Sequence, residues 1–443
     1  MPDSRPRVQP APTPVTKILY LMAKEAKNWK SLSGIRSPKY WLTPASCNVE
    51  PAIFLDQSGE KPVGASEINK LLGKDQAKLI LGSNSKVYMP EELSRLFSWR
   101  PTPLRRLRNL EKVVGAKIPI LIKEEYSSPT GSYKLNTALP QVFAAKSDGA
   151  AEIVSETGAG HWANALTYAA SQLSLSATVF ATEAALAKAT GLERIANLRG
   201  SKIIVSRKTN VDANKRTNGL RGAISSAISY AKARVNRRYA MGCLLDHVVA
   251  HQSIIGIELL NQLNKLGMMP ATIVGVAGGG SNLAGTALAF LHSNSKCRIV
   301  AVEDKNSASL TRGKLGIWPI DADGMLFARM YCLKQFIGTG PNALGLRYTG
   351  VAPVLSRLYE QGLVETEICS FSQAVFAGRL LARHEGIIVA IESAYALSKA
   401  IQLSQAGGRK QKIAAIVSIM TGDGRWDLST YCSTRIRMSD TIL

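Results

Sequence analysis

The sequence predicts an α/β protein of two lobes, each a mostly parallel sheet flanked by helices. Three observations carry this. The chain has 443 residues, more than one hydrophobic core usually serves. From about residue 118 onward, short β-branched runs alternate with longer segments rich in Ala and Leu at helical spacing. Three of those runs also end in loops with chemically suggestive residues, at the strand ends where open α/β sheets hold their ligands.

The β-branched runs are 120–124 (ILIKE), 152–155 (EIVS), 177–181 (ATVFA), 202–206 (KIIVS), 271–277 (ATIVGVA), 298–303 (RIVAVE) and 412–419 (KIAAIVSI). Helical spacing of apolar residues marks 162–173, 186–198, 251–265, 282–293, 372–384 and 393–406 between them. Parallel strands need a crossover between each pair, so strands that alternate with helices read as parallel sheets covered on both faces. There is no internal repeat, and residues 1–16 (MPDSRPRVQPAPTPVT) read as a Pro-rich disordered arm.

Composition removes several classes of function. No uninterrupted apolar run approaches twenty residues, which argues against a membrane span. Cys47, Cys243, Cys297, Cys332, Cys369 and Cys432 lie far apart without a Cys-x-x-Cys pair, so they read as reduced thiols of a cytoplasmic protein. The N-terminus lacks the pattern of a secretory signal, while its basic residues leave an organelle transit peptide open. The balance of 55 Lys plus Arg against 32 Asp plus Glu leaves a net charge of +23. The surplus is densest between Glu193 and Arg238, and without a nucleic-acid motif it reads as a solvated basic surface.

Three segments carry chemistry. Gly278-Gly279-Gly280-Ser281-Asn282 closes a strand and opens a helix, so backbone N–H groups and a helix dipole can cradle a small phosphate; taken alone, the loop is equally a tight turn. It lacks the Lys-Ser/Thr of a nucleotide P-loop and the spacing of a dinucleotide fold. Glu156-Thr157-Gly158-Ala159-Gly160-His161 offers amides at 157–161 for a substrate carboxylate, with Glu156 at the rim for proton transfer; a glutamate at a strand end also serves as a helix cap. Lys134 stands in SPTGSYKLN at the start of a helix, where the dipole is expected to disfavour its cationic form and help it act as a Schiff-base nucleophile.

Together these segments resemble the β subunit of tryptophan synthase, a fold-type-II pyridoxal-phosphate enzyme, and most closely its second, longer class. The resemblance runs from Arg100-Pro101-Thr102-Pro103-Leu104 to Asp427. It implies pyridoxal 5′-phosphate as cofactor, with Lys134 as the Schiff-base lysine and Asn136 facing the cofactor. It implies Glu156 as the acid–base group, Gly278 to Asn282 as the phosphate cradle, Glu303 near the cofactor ring and Thr421, in TGDGRWD, against the ring nitrogen. Glu385-Gly386-Ile387-Ile388-Val389-Ala390-Ile391-Glu392-Ser393 and Gly345-Leu346-Arg347-Tyr348 match further family segments, and Arg347 points to the longer class. His247 and His251 are four apart, but no third ligand is apparent, so no metal is expected there.

The implied activity is β-replacement: serine, or an activated serine, condensed with indole to give tryptophan. The other readings are a different nucleophile, a serine or threonine dehydratase, or a non-catalytic binding relative. The resemblance also implies a homodimer that does not require an α-type subunit, and a monovalent cation as a further ligand. Its lobes would be 17–99 with 133–250, smaller and mobile, and 100–132 with 251–443, larger and cofactor-binding. Departures from the family pattern fall at Tyr133, His161, Ala163, Asn342 and Val389. Because an imidazole can donate, accept or charge near neutral pH, His161 suggests a polar or anionic nucleophile, with Ala163 and Asn342 expected beside the substrate.

Overall fold

Two sheets built mainly of parallel strands organise the protein in a computed structural model that describes residues 31–50, 52–206, 219–338, 342–406 and 414–435. The larger sheet runs in the order Glu365–Cys369, Arg298–Asp304, Met269–Val276, Ala414–Met420, Ile120–Glu124 and Leu104–Arg106. Its first five strands are parallel and the last is antiparallel. The smaller sheet is entirely parallel, in the order Lys202–Val205, Ser176–Ala181, Glu152–Thr157 and Arg237–Tyr239. An antiparallel sheet of Lys314–Pro319, Phe327–Cys332 and Phe54–Leu55 completes the fold beside them.

Strands buried on both faces need apolar side chains on both, and Ile120–Glu124 and Ala414–Met420 are buried at every position. Across the larger sheet, the helix Asp246–Leu266 packs on the helix Ser281–His292. Their backbones approach closely because each contributes a glycine. A Cβ on Gly256 would stand 2.2 Å from the Thr286 carbonyl oxygen, and one on Gly285 would stand 2.5 Å from Gln252 Cβ. The segment before the larger sheet is shared between two cores. Trp41, Leu42 and Phe97 pack with the helices just named, whereas Phe54, Ile68 and Leu72 pack with Ile228, Leu245 and Met325.

A fully buried charge network ties the start of the larger sheet to the long helix. Arg100 donates to Glu125 at 3.0 Å and to Glu258 at 2.8 Å, and Lys123 donates to Glu258 at 3.0 Å. Burial raises the Glu125 pKa, but Arg100 and Lys123 outweigh it and hold the carboxyl at about 2. Removed from water, each charge is tolerated only because the others face it.

All seven expected strands are present within two residues of their expected ends. The expected helix 186–198 is instead two, Glu183–Lys188 and Leu192–Leu198, broken where Gly191 takes φ 84°. The strands Arg237–Tyr239 and Glu365–Cys369, too short or too polar to stand out in sequence, complete the sheets. Part of the basic stretch is engaged rather than solvated. Arg199 donates to Asn164 and Thr167, Arg221 to Thr349, and Arg237 pairs with Glu152 while lying over the Tyr230 ring. Arg207, Lys208, Lys215, Arg216 and the expected arm 1–16 lie outside the described residues. Among the described residues, no helix is long and apolar enough to cross a membrane.

Candidate active site

One cleft collects the ends of strands from both main sheets. Lys134 enters it from a loop stitched to the end of the strand Ala414–Met420: Tyr133 N–H donates to the Thr421 carbonyl at 3.0 Å, and Asp423 N–H to that of Gly131 at 2.8 Å. Gly131 makes the turn at φ 72°, a conformation other residues rarely adopt. The Lys134 Nζ donates to the Gly242 carbonyl at 2.5 Å. Burial presses the ammonium pKa down, but the Tyr133 phenol, the Cys243 thiol and the Glu156 carboxyl raise it above the ordinary value overall. The lowered pKa expected from the helix dipole is therefore overturned, because three acidic groups face the amine across the cleft.

Glu156 is the last but one residue of the strand Glu152–Thr157 and lines the same cleft. The Tyr239 hydroxyl donates to its Oε2 at 2.6 Å. Burial pushes the carboxyl up to about 7, against the opposing effects of that hydrogen bond and of Lys134. A group poised there can give or take a proton near neutral pH. Thr157, Gly158, Ala159 and His161 also line the cleft, while Gly160 turns behind them at φ 95° to begin the helix His161–Gln172.

The glycine loop has the shape of an anion cradle. A Cβ on Gly278 would come within 2.9 Å of the Gly345 carbonyl oxygen, and one on Gly280 within 2.4 Å of Leu355, so side chains are excluded there. At the start of the helix behind it, Ser281 Oγ and both polar atoms of the Asn282 side chain are buried without a hydrogen-bond partner. Buried polar groups are rarely left so, and these call for a polar ligand. Thr421 Oγ1 lies 2.8 Å from Ser393 Oγ. That serine oxygen already accepts from the N–H groups of Thr421 and Gly422, at 2.9 and 3.3 Å. Its own proton is thus left for Thr421, which holds the threonine hydroxyl in place.

These residues fit pyridoxal phosphate: an amine, a side-chain-free cradle with orphaned donors, and a fixed hydroxyl share one cleft. Two expected contacts lie elsewhere. Asn136 is fully buried behind the cleft, where its Oδ1 accepts from Arg100 at 2.7 Å and its Nδ2 donates to Glu125 and Gln252, both at 3.0 Å. The Glu303 carboxylate accepts the N–H groups of Leu310 and Thr311 at 2.8 and 3.0 Å, capping a short helix outside the cleft lining. A second acid that faces the cleft, besides Glu156, is Glu392, which accepts the Gly345 N–H at 2.8 Å and pairs with Lys188 at 3.5 Å. Its signal in the sequence is its place in the quoted segment 385–393. Ser393 stood in the same segment without a role, and Tyr239 gave no signal, since each acts on a partner from a distant strand or helix.

His161 packs at a tilt of 49° against Trp426 with ring centroids 4.7 Å apart, and both its ring nitrogens are buried without partners. Burial pushes its pKa down to about 4, although Glu392 and Asp423 raise it. The imidazole is therefore neutral at neutral pH, which corrects the expectation of a charge there. Ala163 is buried within its helix and Asn342 is exposed, and neither lines the cleft. His247 and His251 are buried beside each other, and His251 Nδ1 lies 2.9 Å from Thr137 Oγ1. Among the described residues, no group of three His, Cys, Asp or Glu is arranged to hold a metal ion.

Comparison with known proteins places this geometry in a family. Residues 96–422 match the family described as pyridoxal-phosphate dependent enzyme. The tryptophan synthase beta chain of Thermosipho africanus is 33% identical over 409 residues, covering 89% of this chain and 97% of the relative. The tryptophan synthase beta chain 2 of Pyrococcus abyssi is 34% identical over 413 residues, covering 89% of this chain and 94% of the relative. The chain belongs to the tryptophan synthase β-chain family. Within it, the chain falls with the second class, as the Thermotoga maritima beta chain 2, 33% identical over 411 residues, also indicates.

Two solved structures share the fold at low identity. Threonine deaminase isoform 2 from Solanum lycopersicum superposes with a TM-score of 0.60 at 18% identity, covering 77% of this chain and 88% of that one. A fungal L-serine ammonia-lyase from Rhizomucor miehei gives 0.58 at 22% identity, covering 75% and 96%. As a member of the tryptophan synthase β-chain family, the protein is a pyridoxal-phosphate dependent enzyme with the fold-type-II architecture of two helix-flanked sheets.

Proposed function

We propose that this β-chain relative catalyses a β-replacement, joining the side-chain carbon of serine or an activated serine to indole to give tryptophan. The observation that carries the reading is the pairing of Lys134 with Glu156 in one cleft, an amine and a carboxyl poised at about 7. When bound, pyridoxal phosphate supplies an electron sink that makes the α proton of an amino acid removable and its β group able to depart. Lys134 would carry the cofactor, Gly278 to Asn282 would hold its phosphate, and Thr421 would present its hydroxyl to the ring nitrogen.

The chain's own groups divide the remaining work. The expected set of amides at 157–161 loses Gly160, whose N–H donates to Thr157 Oγ1 at 3.2 Å, and the loop residues Thr157, Gly158, Ala159 and His161 that line the cleft orient the substrate carboxylate at the start of a helix, where the dipole favours an anion. Lys134 Nζ takes the α proton. Glu156, protonated through its raised pKa, gives a proton to the departing hydroxyl and can recover one from the incoming nucleophile. The test is product analysis by mass spectrometry after incubation of the cofactor-loaded protein with serine, with and without indole. Tryptophan formed only with indole supports the reading; pyruvate and ammonia alone would replace it with a dehydratase.

A second reading, replacement by a polar nucleophile, is favoured by His161. Its neutral ring brings nitrogens without partners to the cleft wall, where they can bond a hydroxyl or amine. Competition of indole against thiols, amines and phenols separates the two.

A further inference from the structure

A second cavity, of about 310 Å³, opens away from the active site. It lies between the helix Ala65–Leu72, the end of the helix Gly219–Lys232 and the turn Met325–Leu326. That volume is at the small end of pockets that hold a discrete small molecule, about 300–1,000 Å³. Phe54, Ile68, Leu72, Ile80 and Leu245 make its walls apolar, which gives ordered water few partners there. Its rim carries both signs of charge: Asp56 and Glu67 on one side of the ledger, Lys232 on the other. Among the described residues, no hydrogen bond or ion pair engages the side chain of Glu67 or Lys232.

Two elements run from this cavity to the active site. The helix Gly219–Lys232 places Leu220 in the wall of the active site and Lys232 at the second cavity. The segment 242–245 likewise gives Gly242 and Cys243 to the active site and Leu245 to the second cavity, through Leu244 at φ 72°. The Gly242 carbonyl is the one that accepts from Lys134.

We propose that this cavity binds a free α-amino acid with an apolar side chain. The side chain fills the apolar interior, the ammonium group faces Asp56 and Glu67, and the carboxylate faces Lys232. Its occupant touches both elements that also shape the active site, so binding there bears on the position of the Lys134 partner. The assignment rests on the cavity alone, whatever nucleophile the active site takes.

The experiment silences the active site first, by fixing the cofactor to Lys134 with borohydride so that no amino acid can exchange onto it. Titration calorimetry of this full-length holoenzyme with L-phenylalanine is expected to give about one equivalent bound per chain. Lys232→Glu, at the exposed rim, is expected to weaken binding by about tenfold or more, the scale of one charge-assisted hydrogen bond. Phenethylamine, which lacks the carboxylate, is expected to bind the unmutated protein more weakly by a similar factor. Ile68→Trp, which fills the interior, is expected to abolish binding; if it fails to fold, Lys232→Glu carries the test. Absence of L-phenylalanine binding, equal affinity in the unmutated protein and Lys232→Glu, or phenethylamine bound as tightly as L-phenylalanine would each overturn the proposal.

Discussion

The Tyr239 hydroxyl and the Glu156 carboxylate, 83 residues apart in sequence, meet at 2.6 Å in the wall of the cleft. The strands that carry them are neighbours in the smaller sheet, with Tyr239 in register with Val154. The hydrogen bond favours the charged carboxylate while burial disfavours it, and the balance leaves the group at about 7. Removing the donor by Tyr239→Phe is expected to raise that pKa further. The limb of the pH–rate profile set by Glu156 should move to higher pH, with the carboxyl staying protonated over a wider range. A profile of kcat/KM against pH that keeps this limb in place would separate Tyr239 from Glu156.

Glu156→Gln keeps the shape of the side chain and removes its titration. Cofactor binding, read by absorbance, is expected to be unchanged, because Glu156 belongs neither to the glycine cradle nor to the lysine that would hold the cofactor. Turnover is expected to fall by ~10²–10⁴-fold, the usual cost of losing a positioned acid–base group. Steady-state rates equal to those of the unmutated enzyme would take Glu156 out of the reaction.

Lys134→Ala removes the amine that joins the cofactor. The variant is expected to keep its far-ultraviolet circular dichroism, since Lys134 only precedes the helix Leu135–Ser147 and Ala is a strong helix former. It should not retain cofactor after borohydride treatment and denaturation, which mass spectrometry of the intact chain reads directly.

Arg100→Met tests the buried charge network. Without Arg100, Glu125 and Glu258 keep their burial but lose the cation they share, at a cost of about 3–5 kcal/mol in denaturant unfolding. The sign with pH follows from Glu125, whose pKa falls from 4.5 to about 2 on folding. Its contribution is present above the ordinary value and is lost as pH falls toward about 2. The unmutated protein should therefore lose stability across that window, and Arg100→Met should start lower and lose less.

Most of the fold, and several of the residues that share the cleft, were legible in sequence, for a physical reason. Strands buried on both faces must be continuously apolar, and helices that cover them must be periodic, so the runs from 120–124 to 412–419 announced parallel sheets. Anion cradles need glycines at a helix start, which marked Gly278 to Asn282, and the amine of Lys134 stood in a motif with few other uses. What each group faces was decided only in three dimensions. The sequence could not show that Asn136 spends its amide on Arg100 and Glu125, or that Glu303 caps a helix while Glu392 faces the cleft. Nor could it show that His161 is held neutral, or that its acidic neighbours raise the Lys134 pKa above the ordinary value. Hydrogen bonds and pKa values depend on burial and on partners from distant strands and helices, and chain folding alone brings those within reach.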